Sequence, residues 1–191
     1  MRQVSIIVEK NEERVEPFVW INGKRDEFTL NVRLVGEGAS FKLIGLFLGS
    51  GDHHLVFNTT IVHEAPRTKS LTTIRGVFRD TSSFSNDGVV RIQKGAKVAD
   101  GFFSSKVLLF DNAKGRSVPS LEIDENELKA GHASTVGRPD PTLLFYLQSR
   151  GLSEKQAVEL IVSGFFTPLL TFLPVKKTLA VKRKLGLTRY E

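Results

Sequence analysis

From residue 3 to about 138, apolar residues recur in short runs with a period of two, broken by turn residues. The strand-like runs are Gln3–Lys10, Pro17–Ile21, Phe28–Val35, Phe41–Leu48, Leu55–Val62, Leu71–Arg79, Val89–Gln93, Val107–Phe110 and Leu121–Ile123. They are rich in Val, Ile, Leu, Phe and Thr, the residues that suit a pleated, half-buried surface. Asn22-Gly23, Gly36-Glu37-Gly38, Gly49-Ser50-Gly51-Asp52 and Asn86-Asp87-Gly88 punctuate them. This predicts an all-β body, as a sandwich, a barrel or a solenoid. A faint repeat is compatible with the solenoid and leaves the sandwich and the barrel open. Ile92-Gln93-Lys94-Gly95-Ala96-Lys97 aligns with Leu109-Phe110-Asp111-Asn112-Ala113-Lys114 at an offset of 17, and Thr81 lies 15 residues before Ala96. In a solenoid, Ala96 and Ala113 would occupy inward corners of stacked rungs.

Near Asp140 the period changes to that of a helix. Asp140-Pro141 reads as an N-cap with proline at the first helical position, and Leu143, Leu144, Phe145 and Leu147 follow as an apolar stripe. Arg150 falls in the last turn, and Gly151 suits a left-handed helix end. Ser153 and Gln156 have the spacing of a capping box. Ala157, Leu160, Ile161 and Phe165 lie on one helical face, and Gly164 and Pro168 are expected to end or kink that helix. A third, basic helix is expected from about Lys176 to Lys184. The domain reading is a β body over 1–138 and a helical region with a basic tail over 139–191.

Composition narrows the function. The 191 residues are 40% hydrophobic and 25% charged, ordinary for a globular chain. No cysteine is present, which removes thiol nucleophiles, zinc–thiolate sites and Cys-held iron–sulfur clusters within this chain. Net charge is +6, yet residues 175–191 alone hold six Lys and Arg against Glu191. The basic balance is thus a property of the tail, whereas a nucleic-acid footprint favours a basic stripe over the body. Nucleic acid is therefore not an expected partner. Leu160–Val175 is uncharged, but it is shorter than the ~20 residues a span needs and is interrupted by Pro168 and Pro174, so a broken helix pair is expected rather than a membrane helix. The opening run has neither the pattern of a signal peptide nor that of a transit peptide, which makes a cytoplasmic location the expectation.

Catalytic signatures are absent: no GxxxxGK[ST], GxSxG, HExxH or strand-borne GxGxxG occurs. His53 and His54, adjacent in a turn, make a poor chelate because neighbouring strand residues face opposite ways. His63 is expected to pack or bond against its own turn. His132, among small residues in LKAGHASTVG, is either a metal ligand or a hydrogen-bonded rung residue. Glu122 and Asp124 share one strand face, a polar edge or an acid/base pair of the kind a β-helical carbohydrate enzyme uses.

Four segments together resemble the SufB/SufD family of iron–sulfur cluster assembly scaffolds: IVHEAPRTKS at 61–70, RGVFRDTSSFSNDGVVRIQKGAKVADG at 75–101, VLLFDNAKGRSVPSLEIDENELKAGHASTVG at 107–137 and LLFYLQSRGLSEKQAVELIVSGFF at 143–166. Ala133 after His132, where SufB-type chains carry an acidic residue, makes it look SufD-like. The resemblance implies a right-handed parallel β-helix followed by a small helical domain. It implies pairing through the last rungs with a SufB-like paralogue or a second copy, and docking of a SufC-like ABC ATPase by the helices. It puts Phe145, Arg150, Gly151, Leu152 and Ile161 in the docking region and His132 at the paired interface. There His132 is the one candidate ligand for iron or a transient cluster, the chain alone holding no cofactor. No catalytic residue is expected. Residues 1–30 match nothing in the resemblance, and the chain is about half the usual family length. The competing readings are a carbohydrate-active enzyme using Glu122 and Asp124, and a structural solenoid without a cluster role.

Overall fold

The computed structural model describes residues 2–23, 25–173 and 175–184. Pro174, and the end of the basic tail with Arg189, Tyr190 and Glu191, lie outside the described residues. Ten strands come first: β1 (Arg2–Val8), β2 (Glu13–Ile21), β3 (Arg25–Leu34), β4 (Ser40–Gly49), β5 (His54–His63), β6 (Lys69–Phe78), β7 (Ser83–Ile92), β8 (Ala99–Leu109), β9 (Lys114–Ile123) and β10 (Leu128–Gly137). Three helices follow: α1 (Pro141–Ser149), α2 (Glu154–Leu170) and α3 (Val175–Lys184).

Odd strands form one sheet in the order β1-β3-β5-β7-β9, and even strands a second in the order β10-β8-β6-β4-β2. Every neighbouring pair is parallel. The chain therefore winds as a parallel β-solenoid of about five coils, each made of one odd and one even strand. The strands of residues 1–30, which the resemblance left unmatched, are the first coil and start of the second: Ile6 pairs with Val32 and Trp20 with Phe47. The core is a stack of inward columns such as Leu34, Leu43, Phe47, Phe57, Phe78, Phe84 and Phe103.

The spacing of coils corrects the sequence-derived repeat. Register partners are 29 residues apart in half of the strand pairs (His54 with Ser83, Ser40 with Lys69, Phe103 with His132) and 31 apart where the pair spans the β7–β8 corner (Ser83 with Lys114, Lys69 with Asp100). An offset of 17 is about half a coil. It relates the β7–β8 corner, where Ala96 is fully buried, to the opposite β8–β9 corner, where Ala113 packs against the core. Ala96 and Ala113 do not stack on each other. The residue that bonds within its corner as Ala113 does is Ser82, not Thr81. Eight corners share a residue that turns left-handed: Asn11, Gly38, Arg67 and Val98 along one edge, Asn22, Gly51, Asp80 and Asp111 along the other, with Gly95 a second such residue in the β7–β8 corner. Asparagine, aspartate and glycine tolerate that conformation best.

The chain divides into two compact units, Met1–Gly137 and Arg138–Glu191. In the second, both predicted caps are present. Asp140 accepts from the Thr142 N–H, and Ser153 and Gln156 bond reciprocally. Two details differ. Helix α2 runs through Gly164 and Pro168 to Leu170, because a proline one turn from the C-terminus removes a single ladder bond. Its buried residues are Ala157, Val162, Phe166, Leu169 and Leu170, while Leu160 is exposed. The segment is apolar on adjoining faces, so packing rather than periodicity chooses between them.

Candidate functional site: the last coil and the helical unit

The register determines which side chains look into the solenoid. Leu43, Thr72 and Phe103 are buried and stand in one column of the even sheet, and His132 is the next member. No described strand lies beyond β10, so the imidazole projects from an inward position yet is exposed. Its inward companions on β10 are Leu128, Ala130, Ser134 and Val136; those on β9 are Gly115, Ser117, Pro119, Leu121 and Ile123. Leu121, Leu128, Ala130 and Val136 pack onto the core, while Ile123 is 44% exposed. Ser134 donates from Oγ to the Ser117 carbonyl at 3.2 Å, tying the sheets across the mouth. Gly131 faces outward, with the Phe102 ring against its backbone.

Both terminal strands have one unpaired edge, but the edges differ. Proline on a strand deletes a donor, and Pro119 sits in the middle of β9. β10 has no proline and keeps a full complement of backbone donors and acceptors over its ten residues. A free edge of this kind is a template for another strand.

The motif H-x-A-P-x-T-x-S closes on itself in the β5–β6 corner. His63 is fully buried. Thr68 Oγ1 donates to the Ala65 carbonyl at 3.0 Å, so it accepts from His63 Nδ1–H at 2.8 Å. His63 Nε2 then accepts from Ser70 Oγ at 2.8 Å. The network thus assigns a neutral, Nδ1-protonated ring. Burial pushes the imidazole down to about 4, against a smaller upward pull from Asp100. His63 is an internal clamp and not a ligand.

The other sequence candidates sort plainly. Glu122 is taken by Arg91, whose guanidinium is held above its usual range chiefly by that hydrogen bond, and Asp124 lies in the turn after β9. His54 bonds Ser83 through Nδ1 at 2.7 Å, and His53 lies half-buried beside it. Among the described residues, no three His, Asp or Glu side chains are grouped to hold a metal ion.

In the helical unit, Phe145 is 71% exposed and Tyr146 51%. Arg150 caps α1 and lays its guanidinium 5.1 Å from the Tyr146 ring centre. Gly151 has φ of 91°, the left-handed turn that joins α1 to α2. Leu152 donates its N–H to the Leu147 carbonyl at 3.3 Å, and both Leu152 and Ile161 are half-buried. Exposed Leu143 and Leu160 add to the apolar surface of the unit. Sequence reasoning missed strand β10 itself and hence the direction of His132. No helix of the described residues is long and apolar enough to cross a membrane.

The chain is thus a parallel β-solenoid whose last coil presents apolar inward residues beside a proline-free β10 edge, with a separate helical unit. The family model for the SUF system FeS cluster assembly SufBD core domain matches residues 5–165, so the match includes most of the first thirty residues. The chain belongs to the SufB/SufD family and is SufD-like. It is 35% identical over 153 residues to the iron–sulfur cluster assembly protein SufD of Bacillus subtilis, covering 80% of this chain and 34% of that protein. It is 34% identical over 184 residues to an iron–sulfur cluster assembly SufBD family protein of Mycobacterium bovis, covering 89% of this chain and 46% of that one. A Mycobacterium leprae relative of the same description is 36% identical over 166 residues, 82% of this chain and 42% of the relative. The chain thus spans between a third and a half of these relatives' length.

Proposed function

We propose that this chain is a non-enzymatic scaffold subunit of a cytoplasmic SUF-type iron–sulfur cluster assembly complex. It pairs with a SufB-like paralogue or a second copy through its last coil, and docks a SufC-like ABC ATPase through its helices. The observation that carries the reading is the last coil: an uncovered apolar mouth beside a complete, proline-free β10 edge. A two-fold pair of solenoid ends brings strands together antiparallel. Inward residues then meet inward residues, and His132, near the middle of β10, falls close to the two-fold axis. The cluster is cargo. His132 offers one imidazole ligand and the paired chain supplies the thiolates, because this chain has none. The exposed Phe145, with Arg150, Gly151, Leu152 and Ile161 around the α1–α2 turn, forms the ATPase contact.

The test is reconstitution of the full chain with its longer paralogue and the ATPase. Phe145→Asp is expected to lose the ATPase and keep the paired chain. Ser134→Arg, a charge placed in the mouth at an exposed position, is expected to do the reverse. Retention of both partners by both variants refutes the assignment. His132→Ala with undiminished cluster content and intact pairing removes the ligand role.

A further inference from the structure

Away from the last coil, four polar side chains gather around one hollow on the outside of the solenoid. It measures about 430 Å³ and is lined by Arg25, Asp52, His53 and His54. Arg25 opens β3 and His54 opens β5, and the two are register partners on the outward face of the odd sheet. Asp52 and His53 come from the turn just before β5. Adjacent strand residues face opposite ways, but His53 lies outside the strand, so both histidines line the same hollow. We infer that this hollow binds an oxyanion that keeps a proton, of which inorganic phosphate is the type, with Arg25, His53 and His54 as donors and Asp52 as the acceptor that reads the proton.

The ring nitrogens sort by what each already touches. His54 Nδ1 lies 2.7 Å from Ser83 Oγ. With the hydroxyl donating, Nε2 carries the ring proton. His53 Nδ1 is buried and has no hydrogen-bond partner. A buried N–H is rarely left orphaned, whereas an acceptor is left so more often, which puts this ring's proton on Nε2 as well. Neither imidazole needs a charge to donate. Arg25 is exposed and adds a guanidinium that matches phosphate geometry. Further along the same outward row, past Ser83, Lys114 adds positive field. Two nearby carboxylates are already engaged: Asp26 accepts from Trp20 Nε1 at 2.8 Å, and Asp80 accepts from the Gly51 N–H at 2.7 Å. Asp52 is the carboxylate that lines the hollow.

That carboxylate selects the anion. A fully deprotonated oxyanion meets Asp52 as a like charge. One that keeps a proton donates it to Asp52 in a short, charge-assisted O–H···O⁻ bond. Near neutral pH orthophosphate keeps at least one proton and sulfate keeps none. A phosphate monoester loses its last proton above a second pKa of about 6. The hollow therefore favours orthophosphate over both. A cation is disfavoured, because Arg25 shares the hollow and no three His, Asp or Glu among the described residues are grouped to hold one.

The test is a nuclear magnetic resonance titration of the full chain labelled with ¹⁵N-histidine, with His53→Gln and His54→Gln assigning the two rings. At pH 7.5 and constant ionic strength, sodium phosphate is expected to shift both rings saturably, and sodium sulfate and glycerol 3-phosphate to bind more weakly. Arg25→Gln, with unchanged circular dichroism, should weaken phosphate about tenfold, the loss of one charged hydrogen bond. Asp52→Asn should erase the preference for phosphate over sulfate, since a carboxamide can donate. Absence of a saturable shift with phosphate overturns the inference. Equal response of the parent to phosphate and sulfate overturns it too and means an adventitious ion only. Glycerol 3-phosphate binding as tightly as phosphate, or Asp52→Asn keeping the parent's preference, overturns the reading of the proton by Asp52. Zinc chloride shifting both rings where phosphate does not would assign the hollow to a cation instead.

Discussion

Acid should loosen this solenoid through one residue more than any other. His63 is fully buried and neutral, its two ring nitrogens bonded to Thr68 and Ser70. Its folded value is about 4, against the ordinary 6.5 of a solvated imidazole, and burial is the main cause. As pH falls below 6.5 the unfolded chain binds a proton that the folded chain refuses. The stability tied to His63 is therefore complete above 6.5, falls between 6.5 and about 4, and levels off below. A displacement of that size corresponds to about 3 kcal/mol at the acid limit, a sizeable share of a typical domain's stability. The assay is urea unfolding at several pH values between 7.5 and 4 for the parent and for His63→Gln. The variant starts less stable, because it loses part of the clamp. It should also lose less on acidification, by about 3 kcal/mol. Carboxylates such as Glu64, which Arg33 holds below its usual range, titrate in both proteins and cancel in the comparison. Parallel loss of stability in parent and variant would refute the argument. So would a parent already insensitive to pH between 6.5 and 4.

Two further outcomes test the packing and the capping. Gly88 is buried on β7 with the Phe103 ring against its backbone, so Gly88→Ala should displace that ring and cost about 1–3 kcal/mol, read as a lower urea midpoint. Ser153→Ala removes the hydroxyl that accepts from the Gln156 N–H at the start of α2, leaving the reciprocal bond from the Ser153 N–H to Gln156, and should cost about 1 kcal/mol, visible as a lower melting temperature with little change in the solenoid's strand signal.

The strands with large alternating side chains were legible. Phe28, Leu30, Val32 and Leu34 declare β3, and the structure puts all four on the inward face. β10 was not legible, because LKAGHASTVG has large apolar residues only near its ends; its strand state comes from ten register partners on β8. The coil length was obscured for a related reason. Two extra residues between Ile92 and Asp100, in a corner where Gly95 turns left-handed, change the repeat from 29 to 31 within the region where the pattern is strongest. Helix caps were legible to the residue, since Asp140, Ser153 and Gln156 act on neighbours only two or three positions away. The helical face of α2 depends on distant packing and was misplaced. The candidate site was legible only in part: the small neighbours of His132 left its role open and the family resemblance singled it out, while its inward direction needed the register with Phe103.

A chain without thiols can still shape a cluster-building site, and the solenoid suggests how. The β10 edge is held by four coils of in-register strands beneath it, so its backbone groups are ordered before any partner arrives. Pre-ordering of that kind removes the entropy that a loose segment would lose on pairing, and leaves more of each strand–strand hydrogen bond as net affinity. The same rigidity carries His132 at a fixed height on the rim, between the small side chains of Ala130 and Ser134. Metal ligands must be presented at defined distances, and a rigid rim supplies that definition even when most of the ligating atoms belong to the other chain. In the proposed assembly, this subunit contributes position and a surface that excludes water, and the cysteine-bearing partner contributes the soft donors.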